Sequence, residues 1–261
     1  MDTVFSGIMD TLAARGLVPA DSLAVLLVGS AARGWDNARS DYDFAVFTTE
    51  SRTSETCRAV ALPLDPPTLR IDVVYQAGRR WELQYWLDGQ VDQILAKVSW
   101  AEFERDRAER PVLSRPEELL LGRLTDCVLL TGADWLAARR AQLAASAFRQ
   151  IVVARSLAEA DDSIEDALGQ LAAGQVHSAV LAAKQALGHT VDALLEEHGE
   201  YGGSHLSKWR PQRFQAARPT ALSFAEYWEL ETMRTYDPRH PDRWINEVLT
   251  ICQDISAKVT I

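Results

Sequence analysis

The chain has 261 residues, 47% hydrophobic and 25% charged, with a formal net charge of −10, which is enough length and apolar content for a large core and for two modest domains. The acidic balance excludes DNA as the main partner, because affinity for a polyanion comes from lysine and arginine neutralising phosphates, and it suits a neutral or cationic partner better. Cys57, Cys127 and Cys252 have no metal-ligand spacing, which argues against a disulfide framework or a zinc site; with no run of roughly 18 apolar residues and no basic leader, no membrane association and a cytoplasmic location are expected.

After an opening amphipathic stretch, three short apolar runs bounded by turn residues predict buried strands: LAVLLV (23–28), DFAVF (43–47) and LRIDVVY (69–75). The connection between the last two contains PLDPP (63–67), which cannot be helix interior. The stretch WELQYWLDGQVDQILAKVSWAEFERD (81–106) reads as helical with a break at Gly89, and TDCVLLT (125–131) as a further short strand. From about Asp134 the pattern is helical. A long helix is expected over ADWLAARRAQLAASAFRQIVVARSLAEA, a second over 176–199, a loop over 201–214, and two more helices around SFAEYWELETMR and PDRWINEVLTICQDI. The composition shift divides the chain at 133/134.

The segment GSAARGWDNARSDYD (29–43) holds the densest chemical signal. Its Gly29-x4-Gly34 spacing begins like a Walker P-loop, but Trp35 and Asp36 stand where lysine and serine or threonine are required. What remains is a strand feeding a Gly-Ser turn, which offers backbone N–H groups and the Ser30 hydroxyl to an anion. Asp41 and Asp43, two apart on a strand, point to one face about 6.6 Å apart along it, and paired aspartates are an oxygen-only donor set of the kind Mg²⁺ takes. Asp72 sits mid-run in LRIDVVY, where an uncompensated carboxylate is costly. Two explanations stay open at this level: an ion pair with Arg70 or Arg39, or convergence with Asp41 and Asp43 on metal ions about 3.5–4 Å apart.

GSxARG followed by SDYD and a third aspartate on a later strand resembles the nucleotidyltransferase superfamily, which includes DNA polymerase beta, kanamycin nucleotidyltransferase and the streptomycin adenylyltransferases. The resemblance covers residues 29–72. It implies an α+β fold, with a small mixed-sheet nucleotidyltransferase domain (1–133) followed by an α-helical bundle domain for substrate or nucleotide (134–261). It also implies that Gly29 and Ser30 hold the triphosphate, with Arg33 and Ser40 of the same two stretches beside them. Asp41, Asp43 and Asp72 would be the catalytic and metal-binding carboxylates, for two Mg²⁺ ions with ATP as donor. The reaction implied is transfer of a nucleoside monophosphate to a hydroxyl of a small molecule, with a cationic, aminoglycoside-like acceptor in view.

In the second half, Lys184 lies in the apolar row Val180, Lys184, Leu187, Val191, and is either a snorkelling lysine or a phosphate ligand. Lys208, Trp209, Arg210 and Arg213 form a compact basic-aromatic group; it is either a solvated turn or, as a loose part of the resemblance implies, the place of a lysine near the triphosphate. Two acidic clusters, Asp161/Asp162/Glu165/Asp166 and Asp192/Glu196/Glu197/Glu200, either keep the protein soluble or steer a cationic acceptor. The competing functions are a toxin-antitoxin type nucleotidyltransferase that modifies a protein or tRNA, and a nucleotide-binding module that has lost its chemistry.

Overall fold

The structure is a computed structural model describing residues 7–52, 57–105, 113–202 and 204–261; the start of the opening stretch, residue 106 of the expected 81–106 helix and residue 203 of the expected 201–214 loop lie outside the described residues. Two compact units follow one another, Met1–Ser146 and Ala147–Ile261.

The first unit is built on a six-stranded mixed sheet: β1 (Ser22–Val28), β2 (Tyr42–Thr48), β3 (Arg58–Ala61), β4 (Thr68–Gln76), β5 (Arg79–Leu87) and β6 (Val128–Thr131) in the order β3-β4-β5-β2-β1-β6. Every pairing is antiparallel except β2 with β5, which runs parallel. On one face Val25, Leu27, Phe44, Val46, Trp81, Leu83 and Tyr85 form a buried cluster with Ile8 and Leu12 of α1 (Ile8–Ala14). Phe44 and Trp81 meet at 5.2 Å between ring centroids and Tyr42 and Trp81 at 6.0 Å, cross-strand pairs of the sort that add about 0.5–1.5 kcal/mol each beyond burial.

Strand β5 corrects the expected helix over 81–106. Residues 79–87 alternate, with Trp81, Leu83 and Tyr85 to one face and Glu82 and Gln84 to the other, a period of two that aromatic residues favour. Helix α3 (Asp88–Lys97) follows without an intervening loop, so the two periods run together in the sequence. Strand β3 was missed within the polar connection, where its burial is slight.

The remaining helices of this unit are α2 (Gly29–Ala32), α4 (Trp100–Glu104), α5 (Arg115–Thr125) and α6 (Ala133–Ala144). Helix α6, assigned by composition to the helical half, belongs to the first unit. It starts at Gly132, where a methyl group would meet the Leu23 carbonyl oxygen at 2.3 Å and where φ is +88°; only glycine lets the chain pass β1 so closely.

The second unit is helical: α7 (Phe148–Ala172), α8 (Val176–Glu197), a short 3-10 helix (Ser204–Trp209), α9 (Arg210–Ala217), α10 (Phe224–Glu231) and α11 (Pro241–Ser256). The long helix expected from residue 133 onward is thus two, interrupted at residues 145–147, and the expected 201–214 loop contains the start of α9. Ala179, Ala183, Leu187, Val191 and Leu194 of α8 pack in one core with Trp244, Val248 and Cys252 of α11.

Candidate active site

Cross-strand register assigns each carboxylate of the sheet to a face. Val28, Asp43, Glu82 and Val73 are successive partners across β1, β2, β5 and β4, and so share one face; Leu27, Phe44, Leu83 and Asp72 share the other. Asp43 and Glu82 are therefore side by side, while Asp72 points away from them. The expected convergence of Asp41, Asp43 and Asp72 does not occur. Its premise was that the strand of Asp72 lies beside that of Asp43, whereas β5 lies between them and Asp72 is one register step out of phase.

Asp72 is 1% exposed. Arg52 donates to it through Nε at 3.2 Å, and the Tyr85 hydroxyl lies 3.2 Å from the same carboxylate oxygen and 3.0 Å from the Leu17 carbonyl oxygen. Burial pushes the Tyr85 hydroxyl well above its ordinary range, and burial followed by the hydrogen bond that the thiol donates to Asp72 pushes up Cys57. The partner is neither Arg70 nor Arg39. Asp72 anchors a buried polar network that ties Arg52 to the Gly16 carbonyl.

On the opposite face the carboxylates meet arginines. Arg80 sends one terminal guanidinium nitrogen to Asp41 and the other to Glu82, each at 2.5 Å. Glu82 also accepts from Arg58 at 3.2 Å and from Gln84 at 3.2 Å. Asp43 faces Arg123 of α5 at 3.8 Å. Partial burial raises the Asp43 carboxyl above the ordinary aspartate range; Asp41 and Glu82 push the same way, and Arg123 and Arg80 oppose them.

The Gly-Ser turn closes directly over Asp43. Gly29 has φ +75°, and a methyl group there would approach Asp43 Oδ2 to 2.7 Å. The next residue, Ser30, lies in α2, a single turn held by the Trp35 N–H donating to the Ser30 carbonyl at 2.8 Å. Arg33 is already engaged, pairing with Asp126 at 3.2 Å and stacking on Trp35. Ser40 shapes the connection, its hydroxyl accepting the Asn37 N–H at 3.0 Å. Arg79 braces the same connection through Asp36 and the Asn37 carbonyl.

Asp41, Asp43 and Glu82 form an all-oxygen donor set on one face, which in chemistry fits Mg²⁺. As they stand, no three carboxylates, imidazoles or thiolates among the described residues close on one point tightly enough to hold a metal ion; a guanidinium lies between two of these three. Glu82 is the site residue that sequence reasoning missed. Its signal in the sequence is the alternation in RWELQYW, which the helix expected over 81–106 conceals.

The other expected residues lie in the second unit. Lys184 donates to the Glu231 carbonyl at 2.9 Å, fastening α8 to the end of α10. Lys208 is exposed and sits 5.3 Å from the centre of the Trp209 ring. Arg210 and Arg213, grouped with it in sequence, are instead buried around Asp192: Arg210 grips that carboxylate with two nitrogens at 3.1 and 2.6 Å, and Arg213 adds a third at 2.7 Å. Glu196 is buried and accepts the Ser156 hydroxyl at 2.7 Å. The second acidic cluster, which could have served solubility or steered a cationic acceptor, is largely internal, with Asp192, Glu196 and Glu200 all buried, whereas Asp161, Asp162, Glu165 and Asp166 form an exposed stripe on α7. No helix of the described residues is long and apolar enough to cross a membrane.

No protein-family model matches the chain, and no curated protein does. Among solved structures it is similar to the nucleotidyltransferase-like protein from Exiguobacterium sibiricum 255-15, with a TM-score of 0.52 and 12% sequence identity over 98% of this chain and 75% of that one. At that identity the likeness is one of fold: a mixed sheet followed by a helical part, arranged as in a nucleotidyltransferase-like protein.

Proposed function

We propose that this chain is a metal-dependent nucleotidyltransferase that moves a nucleoside monophosphate, with ATP as the expected donor, onto a hydroxyl of a small molecule and releases pyrophosphate. The observation that carries the reading is the approach of Gly29 to Asp43, which places a phosphate-sized turn directly over a face bearing Asp41, Asp43 and Glu82. The nucleotidyltransferase-like fold supports it.

In this reading Asp41, Asp43 and Glu82 would hold the expected Mg²⁺ ions, Glu82 in place of Asp72. When bound, the metal neutralises charge that develops on the transferring phosphoryl group. The chain's own residues do the rest. Gly29, lacking a side chain, keeps room for phosphate oxygens beside Asp43, and the Ser30 hydroxyl and nearby N–H groups orient them. A carboxylate oxygen of this face that is not engaged by metal would take the proton of the attacking hydroxyl. The P–O bond to pyrophosphate breaks as the bond to the acceptor oxygen forms. The net charge of −10 favours a neutral or cationic acceptor over a polyanion.

The test is to incubate the protein with each NTP, Mg²⁺ and a library of hydroxyl metabolites, aminosugars included, and to follow pyrophosphate release with acceptor mass. A nucleotidyl mass gain that disappears in Glu82→Gln is the expected result. One observation favours a second reading: the Arg80 guanidinium already bridges Asp41 and Glu82, as it would in a nucleotide-binding module without chemistry. NTP binding with no pyrophosphate release across the library would establish that reading and overturn the first.

A further inference from the structure

Arg123 is a loosely committed cation. Arg80 holds its carboxylates at 2.5 Å and Arg58 reaches Glu82 at 3.2 Å, within hydrogen-bond range. Arg123 stands 3.8 Å from Asp43 Oδ2, beyond that range, and among the described residues its other polar contact is the Gln84 side-chain oxygen at 3.4 Å. A guanidinium carries five N–H donors in a planar fork. Most of that capacity is unspent on protein, in a side chain only 21% exposed.

The backbone behind this loose head is fixed. Arg123 lies in the last turn of α5, whose start is closed by Ser114 and Glu117 and whose Leu120, Leu121 and Leu124 are buried. Gln84 steadies the guanidinium: its oxygen accepts from Arg123 while its amide nitrogen donates to Glu82 at 3.2 Å. The Asp43 oxygen that Arg123 faces is also the one that a methyl group on Gly29 would approach to 2.7 Å. Two independent features, a fork with open donors and a turn without a side chain, converge on one point.

We propose that Arg123 is a phosphate-binding residue, whose fork takes oxygens of the donor's polyphosphate chain where that chain passes the Gly29 turn. The inference rests on the turn and carboxylate face as the donor site put forward above, but not on metal being held there. Phosphate oxygens at about 2.7–2.9 Å would replace a carboxylate at 3.8 Å, which is a gain because attraction grows as distance shrinks and the fork matches phosphate bidentately. When the bond from the α-phosphorus to its bridging oxygen breaks, the electron pair stays on pyrophosphate, and Arg123 donates to the oxygens where that charge gathers. Its removal therefore weakens binding of the chain and lowers kcat as well.

The experiment reads anion binding and turnover separately. Tripolyphosphate is titrated calorimetrically, in chelator, into wild type, Arg123→Ala, Arg123→Lys and Arg239→Ala, the last a net-charge control at an exposed arginine of the second unit. Wild type and Arg239→Ala should bind equally, and Arg123→Ala about 10- to 100-fold more weakly, as expected for lost hydrogen bonds to a charged group. Arg123→Lys keeps the charge but not the fork, should fall between them, and carries the test if Arg123→Ala does not fold. Kinetics with NTP and Mg²⁺ add a readout that a structural role would not move: KM raised and kcat lowered in Arg123→Ala, with the Tm of wild type. Equal tripolyphosphate affinity in wild type and both Arg123 variants, or no binding by wild type, would overturn the role of Arg123 whatever the turnover. Binding that depends on Arg123, without nucleotidyl transfer by wild type, would uphold that role and overturn the transfer reading instead.

Discussion

The two faces of the central sheet carry nearly the same chemical kit and put it to opposite uses. Arg70-Ile71-Asp72 on β4 and Arg80-Trp81-Glu82 on β5 share one local pattern, an arginine and a carboxylate flanking an apolar residue. Asp72 is sealed against Arg52 and Tyr85 on the face that packs on α1. Glu82 shares its face with Asp43 and the glycine turn. The difference is one step of register: β4 and β5 pair so that Asp72 opposes Leu83 and not Glu82, and in a strand one step reverses the face. A buried carboxylate in an apolar run is a sound reason to expect compensation, but it does not say whether the compensating charge is a ligand's or the protein's own.

The sharpest way to break this comparison is to substitute both acids. Glu82→Gln should lower kcat for nucleotidyl transfer by about 100-fold or more with the melting temperature held or raised. Asp72→Asn should do the reverse: turnover per folded molecule stays close to wild type, while leaving Arg52 and Tyr85 short of a partner costs about 1–3 kcal/mol in urea unfolding. A stable but inactive Asp72→Asn protein would return Asp72 to the site and break the assignment of faces.

A smaller effect is expected at the turn. Gly29→Ala puts an L side chain at φ +75°, worth about 1–2 kcal/mol of strain, and its methyl group must displace Asp43, so KM for NTP should rise and kcat fall together. Gly132→Ala is the control, because its clash is with β1 at Leu23 and Ala24: it should lose stability with the KM for NTP unchanged. Matching kinetic losses in the two variants would mean that general loosening of the unit accounts for the Gly29 result.

Asp43 sharpens the comparison through pH. Its folded-state pKa lies above the ordinary aspartate value, so the protonated form favours the fold and that contribution is lost as pH rises through the raised pKa. In chelator, Asp43→Asn should therefore be more stable than wild type at neutral pH, with the advantage shrinking as pH falls below the raised pKa; melting curves across that range measure it. A constant gap would separate Asp43 from its acidic neighbours. The smallest effect belongs to Arg33. Its pair with a partly exposed Asp126 predicts that Arg33→Ala costs about 0.2–1 kcal/mol, and a KM for NTP unchanged in that variant would confine Arg33 to shaping the turn.

What the sequence made legible was local. The Gly-Ser turn, the aspartates two apart at the entry to β2 and the apolar strand before them lie within about twenty consecutive residues, where periodicity and turn chemistry suffice. The third acid depended on which strand lies next to β2, which is a long-range fact, and on separating a period of two from a period of 3.6 where β5 runs straight into α3. The aromatic residues Trp81, Tyr85 and Trp86 make either reading plausible at short range. The buried Asp192–Arg210–Arg213 group was hidden for a similar reason: charges spaced along a helix and a following loop look like surface until the tertiary partners that cancel them are known.

The parallel pairing of β2 with β5 has a consequence for how the site is held together in time. The segment between those strands leaves the middle of the sheet, forms the β3–β4 margin and returns, so Asp43 and Glu82 sit on opposite sides of a seam joining pieces distant in the chain. The β4–β5 hairpin can form by itself around Ala77 and Gly78, but the seam closes only when the whole excursion docks on β2. Partial opening of the sheet along this line would pull the acids apart while leaving each piece internally paired. Arg80, reaching from β5 to Asp41 beside the start of β2, acts as a clasp on that seam, so its removal should lower amide protection in the two central strands together.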